Sequence, residues 1–203
     1  MKVLGICASH RKGGSSYRLL EEAVKGVKEE DQSINTRITE LAALKISPCI
    51  ATCAYANPAV CAKQPFECNV KDDLQLVFEE MKKADGILIA SPYYFLTPSK
   101  LAALIERLYC VHYFTKHRHP VVTFPMADKP FGLLAVSGTG GYYNLPLLEH
   151  LQRFCLYLQM KPVIMKTSPF IGVTGEDPVE KDAKALEHAK TLGLTIAKLL
   201  KGR

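Results

Sequence analysis

The sequence predicts a three-layer α/β sandwich, a parallel sheet with helices packed on both faces, and three observations point to it. Short continuous apolar runs recur at Val3 to Ala8, Gly86 to Ala90 and Phe131 to Val136, and such runs suit strands buried on both faces. Each run leads through a loop into a segment whose apolar residues recur at helical spacing. Strands alternating with helices over this length need right-handed crossovers, which place helices on both sides of one sheet.

The first run ends in the polar, glycine-rich stretch Ser9-His10-Arg11-Lys12-Gly13-Gly14-Ser15-Ser16, and a helical pattern follows from Tyr17 to Val27. Ile34 to Leu41 alternates apolar with polar residues, as an outer strand does. Residues 46–70 are irregular, with three prolines and four cysteines. Asp72-Asp73 opens the helical pattern Leu74 to Met81, where acidic residues suit the positive end of a helix. The second buried run continues into the loop Ser91-Pro92-Tyr93-Tyr94-Phe95-Leu96-Thr97-Pro98, after which Ser99 to Tyr109 returns to helical spacing. His112 to His119 reads as a solvated basic loop, since neither acidic nor cysteine ligands accompany its histidines. The third run ends in Ser137-Gly138-Thr139-Gly140-Gly141-Tyr142-Tyr143 before a helix from Leu145 to Leu158. Pro162 to Met165 is expected as a fifth strand and Pro178 to Leu200 as a terminal helix. With no repeat, low-complexity tract or linker, residues 1–203 read as a single domain with 46–70 as a cysteine-rich loop.

A chain of 203 residues buries enough apolar surface to fold without disulfides. Its opening residues carry too short an apolar run for a signal peptide, and no apolar stretch approaches the roughly twenty residues that span a bilayer. A cytoplasmic location is therefore expected, where clustered cysteines more often form a metal or catalytic site than disulfides. Lys and Arg number 26 against 20 Asp and Glu, a formal net charge of +6, but the basic residues are scattered among acidic ones. That pattern favours an anionic ligand over a nucleic-acid partner.

In an open parallel sheet ligands collect beyond the carboxyl ends of the strands. The three loops that follow the buried runs should meet there. Ser9 to Ser16 offers glycines, hydroxyls, two cations and a helix start whose free N–H groups attract anions. Without a Gly-Lys-Ser/Thr ending it is not a Walker A loop. Tyr93, Tyr94 and Phe95 present flat faces that suit a planar ring. Ser137 to Gly141 allows backbone N–H groups to approach a ligand edge. A phosphate, a planar ring and a ring edge together outline a mononucleotide cofactor.

These residues resemble the NAD(P)H-dependent FMN reductase family of flavodoxin-like proteins. Ser9 to Ser16 resembles its phosphate loop, Ala84 to Phe95 its A-D-G-I-I strand and S/T-P-x-Y-F flavin loop, and Leu104-Ile105-Glu106-Arg107 its helix ending in I-D-R, over residues 1 to about 165. The resemblance implies a five-stranded parallel sheet of order 2-1-3-4-5. It also implies FMN as cofactor, its phosphate held by Ser9, Arg11, Lys12, Ser15 and Ser16 and its ribityl chain near Ser91 and Pro92. Tyr93, Tyr94 and Phe95 would flank the isoalloxazine, and Ser137, Gly138, Thr139, Gly140 and Gly141 would meet its pyrimidine edge. His10 stands where the family commonly has proline.

Within the family the chain most resembles the iron-sulfur flavoprotein branch, in which a C-x2-C-x2-C group and a more distant cysteine precede a Lys-Asp-Asp. Here Cys49, Cys53, Cys61 and Cys68 precede Lys71-Asp72-Asp73, as a cysteine-rich insertion after the second strand, with wider gaps of three, seven and six residues. Those gaps leave open a [4Fe-4S] cluster, an unmetallated reduced loop and a zinc site; redox chemistry at a neighbouring flavin favours iron. Cys7, Cys110 and Cys155 lie in apolar patterns and read as core residues. The expected function is electron transfer between NAD(P)H or a reduced carrier, FMN and a [4Fe-4S] cluster. The alternatives are a cluster-free FMN or quinone reductase and a non-catalytic redox sensor. Expected partners are a small-molecule redox substrate or carrier protein and a second or fourth copy of the chain, with neither nucleic acid nor membrane.

Overall fold

The computed structural model describes residues 1–50, 61–165 and 171–202. Its elements in chain order are β1 (Lys2–Cys7), α1 (Ser15–Glu30), β2 (Asn35–Glu40), α2 (Leu74–Lys83), β3 (Gly86–Pro92), α3 (Ser99–Arg118), β4 (Pro130–Ser137), α4 (Leu145–Tyr157), β5 (Lys161–Pro162), β6 (Val173–Glu176) and α5 (Ala183–Lys201), with three short 3-10 turns between them. The sheet runs β2-β1-β3-β4-β5 with every pairing parallel, as expected from the sequence.

The fifth lane departs from the sequence reading. Instead of one strand over Pro162 to Met165, two short strands share the far side of β4: β5 pairs beside Pro130 and Phe131, and β6 beside Leu134 to Ser137. Among the described residues that makes six strands in five lanes. A run as short as Val173-Thr174-Gly175-Glu176, with glycine inside it, carries almost no strand signal of its own and is held by its neighbour.

Two apolar layers hold the sheet. On one face β1, β3 and β4 pack Leu4, Ile6, Ile87, Ile89, Phe131 and Leu133 against α2, α3 and α4. On the other, Val3, Cys7, Leu88 and Leu134 meet Leu19, Leu20, Leu192 and Ile196 of α1 and α5. Strand residues of alternating parity thus feed opposite layers, and β3 is buried along its whole length, which explains its unbroken apolar run. α1 and α5 cross so closely that a Cβ on Gly193 would lie 1.8 Å from the Ala23 carbonyl oxygen, and one on Gly26 would lie 2.1 Å from that of Lys190.

The basic stretch His112 to Arg118 is not a loop; it forms the last two turns of α3. His112 and Thr115 point inward and are buried, and that inward spacing continues the face begun by Leu101, Leu104 and Leu108. The charge density of the outer face hid the helix. The terminal helix likewise begins at Ala183 rather than Pro178, after a 3-10 turn over Val179–Lys181, because Asp182 caps it by accepting the Ala185 N–H at 3.0 Å.

Candidate functional site

Register brings the three predicted loops to one edge. Cys7 lies beside Ala90 and the Ala8 N–H reaches the Ala90 carbonyl at 2.8 Å, so β1 and β3 end level. Pro92 pairs with Val136, and the Tyr93 N–H donates to the Val136 carbonyl at 2.8 Å, which brings β4 to the same line.

In the first loop Ser9, Ser15 and Ser16 are buried while His10, Arg11 and Lys12 are exposed. The Ser9 hydroxyl accepts the Arg11 N–H at 3.1 Å and folds the loop back on itself. Gly13, at φ +62°, makes the turn. Gly14 is the N-cap of α1, with no side-chain cap and no acidic residue in the first turn among the described residues, so the opening N–H groups of the helix are open to an anion.

In the second loop Ser91 is fully buried and donates to the Pro92 carbonyl at 3.0 Å. Tyr93 packs against the core, Tyr94 is half exposed and Phe95 is 88% exposed at φ +61°. The His10 ring stacks on Tyr94 with centroids 6.2 Å apart, so the residue that replaces the family's proline joins the first loop to the second. In the third loop the Ser137 hydroxyl accepts the Gly140 N–H at 2.9 Å. Gly140 sits at φ +59°, ψ −164°, a conformation open essentially to glycine alone. Gly138 and Gly141 have open space where a Cβ would stand, and Thr139 is exposed. The three loops expected from the sequence to meet therefore share one rim.

Sequence reasoning missed Asp177 on this rim. Its carboxylate accepts from Arg11 Nη2 at 3.0 Å and from the Ser15 hydroxyl. These contacts, Ser15 first, hold its pKa below the ordinary carboxylate value against a smaller opposing effect of burial. Nothing in the local sequence marks Asp177, because its partners lie more than 160 positions away.

The cysteine segment is anchored to α3 by Arg107, which the sequence placed in the I-D-R-like motif without giving it a role. Arg107 is 1% exposed. Nη1 donates to Asp72 Oδ2 at 2.6 Å and to the Ser47 carbonyl at 3.1 Å, and Nη2 donates to the Val70 carbonyl at 3.2 Å. Nε and Nη2 also approach Cys68 Sγ, at 3.4 and 3.3 Å. The Cys49 N–H donates to the Glu106 carboxylate at 3.1 Å. Burial pushes the Asp72 pKa upward, but Arg107 and the N–H groups of Ser47 and Leu74 outweigh it and leave the carboxyl below its ordinary value. An apolar helical face carrying one arginine is the available sequence signal for such an anchor.

Cys49, Cys61 and Cys68 line one cavity of about 10 Å³ together with Arg107 and Cys110, a volume close to that of a single water-sized probe. Cys110 is thus a correction: it is partly exposed and faces the other thiols instead of the core. Cys7 and Cys155 do belong to the core, and burial pushes the Cys7 thiol up to about 11. Cys53 lies outside the described residues, with the rest of residues 51–60. Among the described residues no three of His, Cys, Asp and Glu stand close enough to hold a metal ion. Thiols are the donor type that an iron-sulfur group takes, but those described do not form a ligand group.

A parallel sheet of order 2-1-3-4-5, with helices on both faces and three loops meeting at one rim, defines a flavodoxin-like fold. Solved structures of that fold superimpose on it: a flavone reductase with a TM-score of 0.68 at 17% identity, covering 99% of this chain, and an archaeal flavodoxin with a TM-score of 0.59 at 16% identity, covering 99% of each chain. This chain spans 63% of the flavone reductase's length. Residues 1–167 match the family described as NADPH-dependent FMN reductase, and the chain belongs to that family. Two curated relatives are iron-sulfur flavoproteins. One, from Methanocaldococcus jannaschii, is 30% identical over 99% of this chain and 98% of its own length. The other, from Methanosarcina thermophila, is 26% identical over 92% and 88%. The protein is an FMN-dependent oxidoreductase.

Proposed function

We propose that this oxidoreductase passes electrons between NAD(P)H or a reduced carrier, FMN and a [4Fe-4S] cluster held by Cys49, Cys53, Cys61 and Cys68. The observation that carries the reading is the placement of three of those thiols around one cavity, on a segment that Arg107 and Glu106 tie to α3. The names of two relatives that align along most of this chain support it.

Each part of the rim has a task. Ser9, Arg11, Lys12, Ser15, Ser16 and the start of α1 would hold the phosphate, while Ser91 and Pro92 line the path to the ring. Tyr94 and Phe95 would cover one ring face and exclude water from it, and the Ser137–Gly141 backbone would donate to the ring edge. Bound there, FMN supplies exchange between two-electron and one-electron chemistry, so no side-chain acid or base is required. Tyr109 and Tyr113 of α3 and Leu156 of α4 leave an exposed apolar surface that suits a second copy of the chain, and we propose a homodimer or homotetramer in the cytoplasm. No helix among the described residues is long and apolar enough to cross a membrane.

Anaerobic purification followed by a visible spectrum, flavin extraction and iron and sulfide analysis tests this reading. One FMN and about four irons per chain are expected for a four-iron cluster. Flavin without iron would instead establish the cluster-free reductase, a second reading favoured by the lack of a ligand group among the described thiols. Absence of any bindable flavin would sink both.

A further inference from the structure

An anion already stands at the phosphate loop, and it belongs to the chain. The Ser15 hydroxyl donates its one hydrogen to Asp177 and accepts the Val179 N–H at 3.2 Å. It has no hydrogen left for a phosphate oxygen while that contact lasts. Arg11 Nη2 is likewise turned to the Asp177 carboxylate at 3.0 Å. Asp177 is not there by drift: its N–H donates to the Ser137 carbonyl at 2.9 Å, which fixes it between the loop at the end of β4 and the loop at the end of β1. The first turn of α1 has no acidic residue of its own, so this distant carboxylate takes the place beside the positive helix end that a local Asp or Glu would otherwise fill.

The pair is suited to exchange. The Arg11 and Asp177 side chains are 61% and 31% exposed, and an ion pair as wet as this is weak. A phosphate monoester carries about −1.5 to −2 charges near neutral pH and offers three strong acceptor oxygens. It is a better partner for the same donors, but the carboxylate repels it.

We infer that Asp177 is an internal competitor of the flavin phosphate for Arg11 and Ser15, and that it thereby sets how strongly the site prefers FMN over unphosphorylated riboflavin. The inference rests on the reading of Ser9–Ser16 as the phosphate loop. Asp177 is a positioning residue, acting through Arg11 and Ser15. Neutralising it weakens its hold on both donors and removes a like charge from beside the phosphate, while the ring-binding groups at Tyr94, Phe95 and Ser137–Gly141 stay as they are.

The test is a fluorescence titration of flavin-free wild type and Asp177→Asn with FMN and, separately, with riboflavin. FMN is expected to bind the variant about three- to fivefold more tightly, the upper part of the range for one exposed charge contact, with riboflavin unchanged within about twofold. An FMN-to-riboflavin affinity ratio that stays constant or falls in the variant overturns the inference. If Asp177→Asn does not fold, Asp177→Ser removes the same charge with less volume and is read in the same way. A parallel thermal-shift series with inorganic phosphate separates the two layers. Should neither protein bind FMN while phosphate protects the variant more than the wild type, the flavin reading fails and the competition stands. Should phosphate protect both equally and FMN fail to bind, both fall.

Discussion

Arg107 and Asp72 form a buried ion pair, Nη1 to Oδ2 at 2.6 Å, with 1% and 6% of their side chains exposed. The arginine leaves the middle of α3 and the aspartate precedes α2, so the pair clasps the cysteine segment from both ends. A buried pair of this kind is weak evidence for net stability, but removing one partner strands the other in a dry site. Arg107→Ala is therefore expected to destabilise the fold by about 3–5 kcal/mol, measurable by urea denaturation. A loss below about 1 kcal/mol would mean that water reaches Asp72 and the clasp is superficial.

A second prediction concerns the crossing of α1 and α5. The atom nearest an added Cβ at Gly193 is the Ala23 backbone carbonyl oxygen, 1.8 Å away, and no side-chain rotation can relieve that clash. Gly193→Ala should cost at least the roughly 1–3 kcal/mol typical of overpacking, despite the better helix propensity of alanine. An unchanged melting temperature would contradict the close approach.

His112 gives the protein a pH-dependent component of stability. Burial chiefly, and the nearby Lys116 charge in addition, hold its pKa below the usual histidine value. The ring sits edge-on to Phe124 and Tyr157, and its buried Nδ1 has no partner among the described residues. Above about pH 6.5 both folded and unfolded chains hold neutral imidazole and this component is fully present. As the pH falls below that value the unfolded chain takes up the proton first, and stability drops until the lowered folded pKa is passed. Melting temperatures of wild type and His112→Phe between pH 8 and pH 5 should diverge, with the wild type falling more steeply. Parallel curves would show that the histidine does not titrate against folding.

Gly140→Ala should strain the loop at the ring edge. Its φ of +59° and ψ of −164° disfavour any side chain, and the new Cβ would lie 3.2 Å from Glu176 Cβ. A penalty of about 1–3 kcal/mol is expected, with flavin affinity falling more than global stability if the loop relaxes locally. Equal FMN affinity and unchanged melting would indicate that the loop accepts another geometry.

The buried strands and the three rim loops were legible because each depends on local chemistry: an unbroken apolar run reads as a doubly covered strand, and clustered serines and glycines read as a ligand loop; the order of the strands came through the family resemblance. What stayed hidden depends on distant contacts. β6 is ordered by β4 rather than by its own residues. The basic end of α3 reads as loop until His112 and Thr115 are seen to face inward. Cys110 looks like any small core residue in an apolar helix, and only the fold turns it toward Cys49, Cys61 and Cys68. Asp177 is ordinary in its own neighbourhood, and Arg107 stands out only as part of a motif; both acquire their roles from partners elsewhere in the chain.

The divided fifth lane has a consequence for solubility. A sheet margin is a ready template for strands of other molecules, and a long, flat, apolar margin invites aggregation. Beside β4, the described lane offers two residues in β5 and four in β6, separated in sequence and set against different stretches of β4. Neither piece is long enough to seed an intermolecular ladder, so the irregularity that blurred the fifth strand in the sequence also guards this border of the molecule against copies of itself.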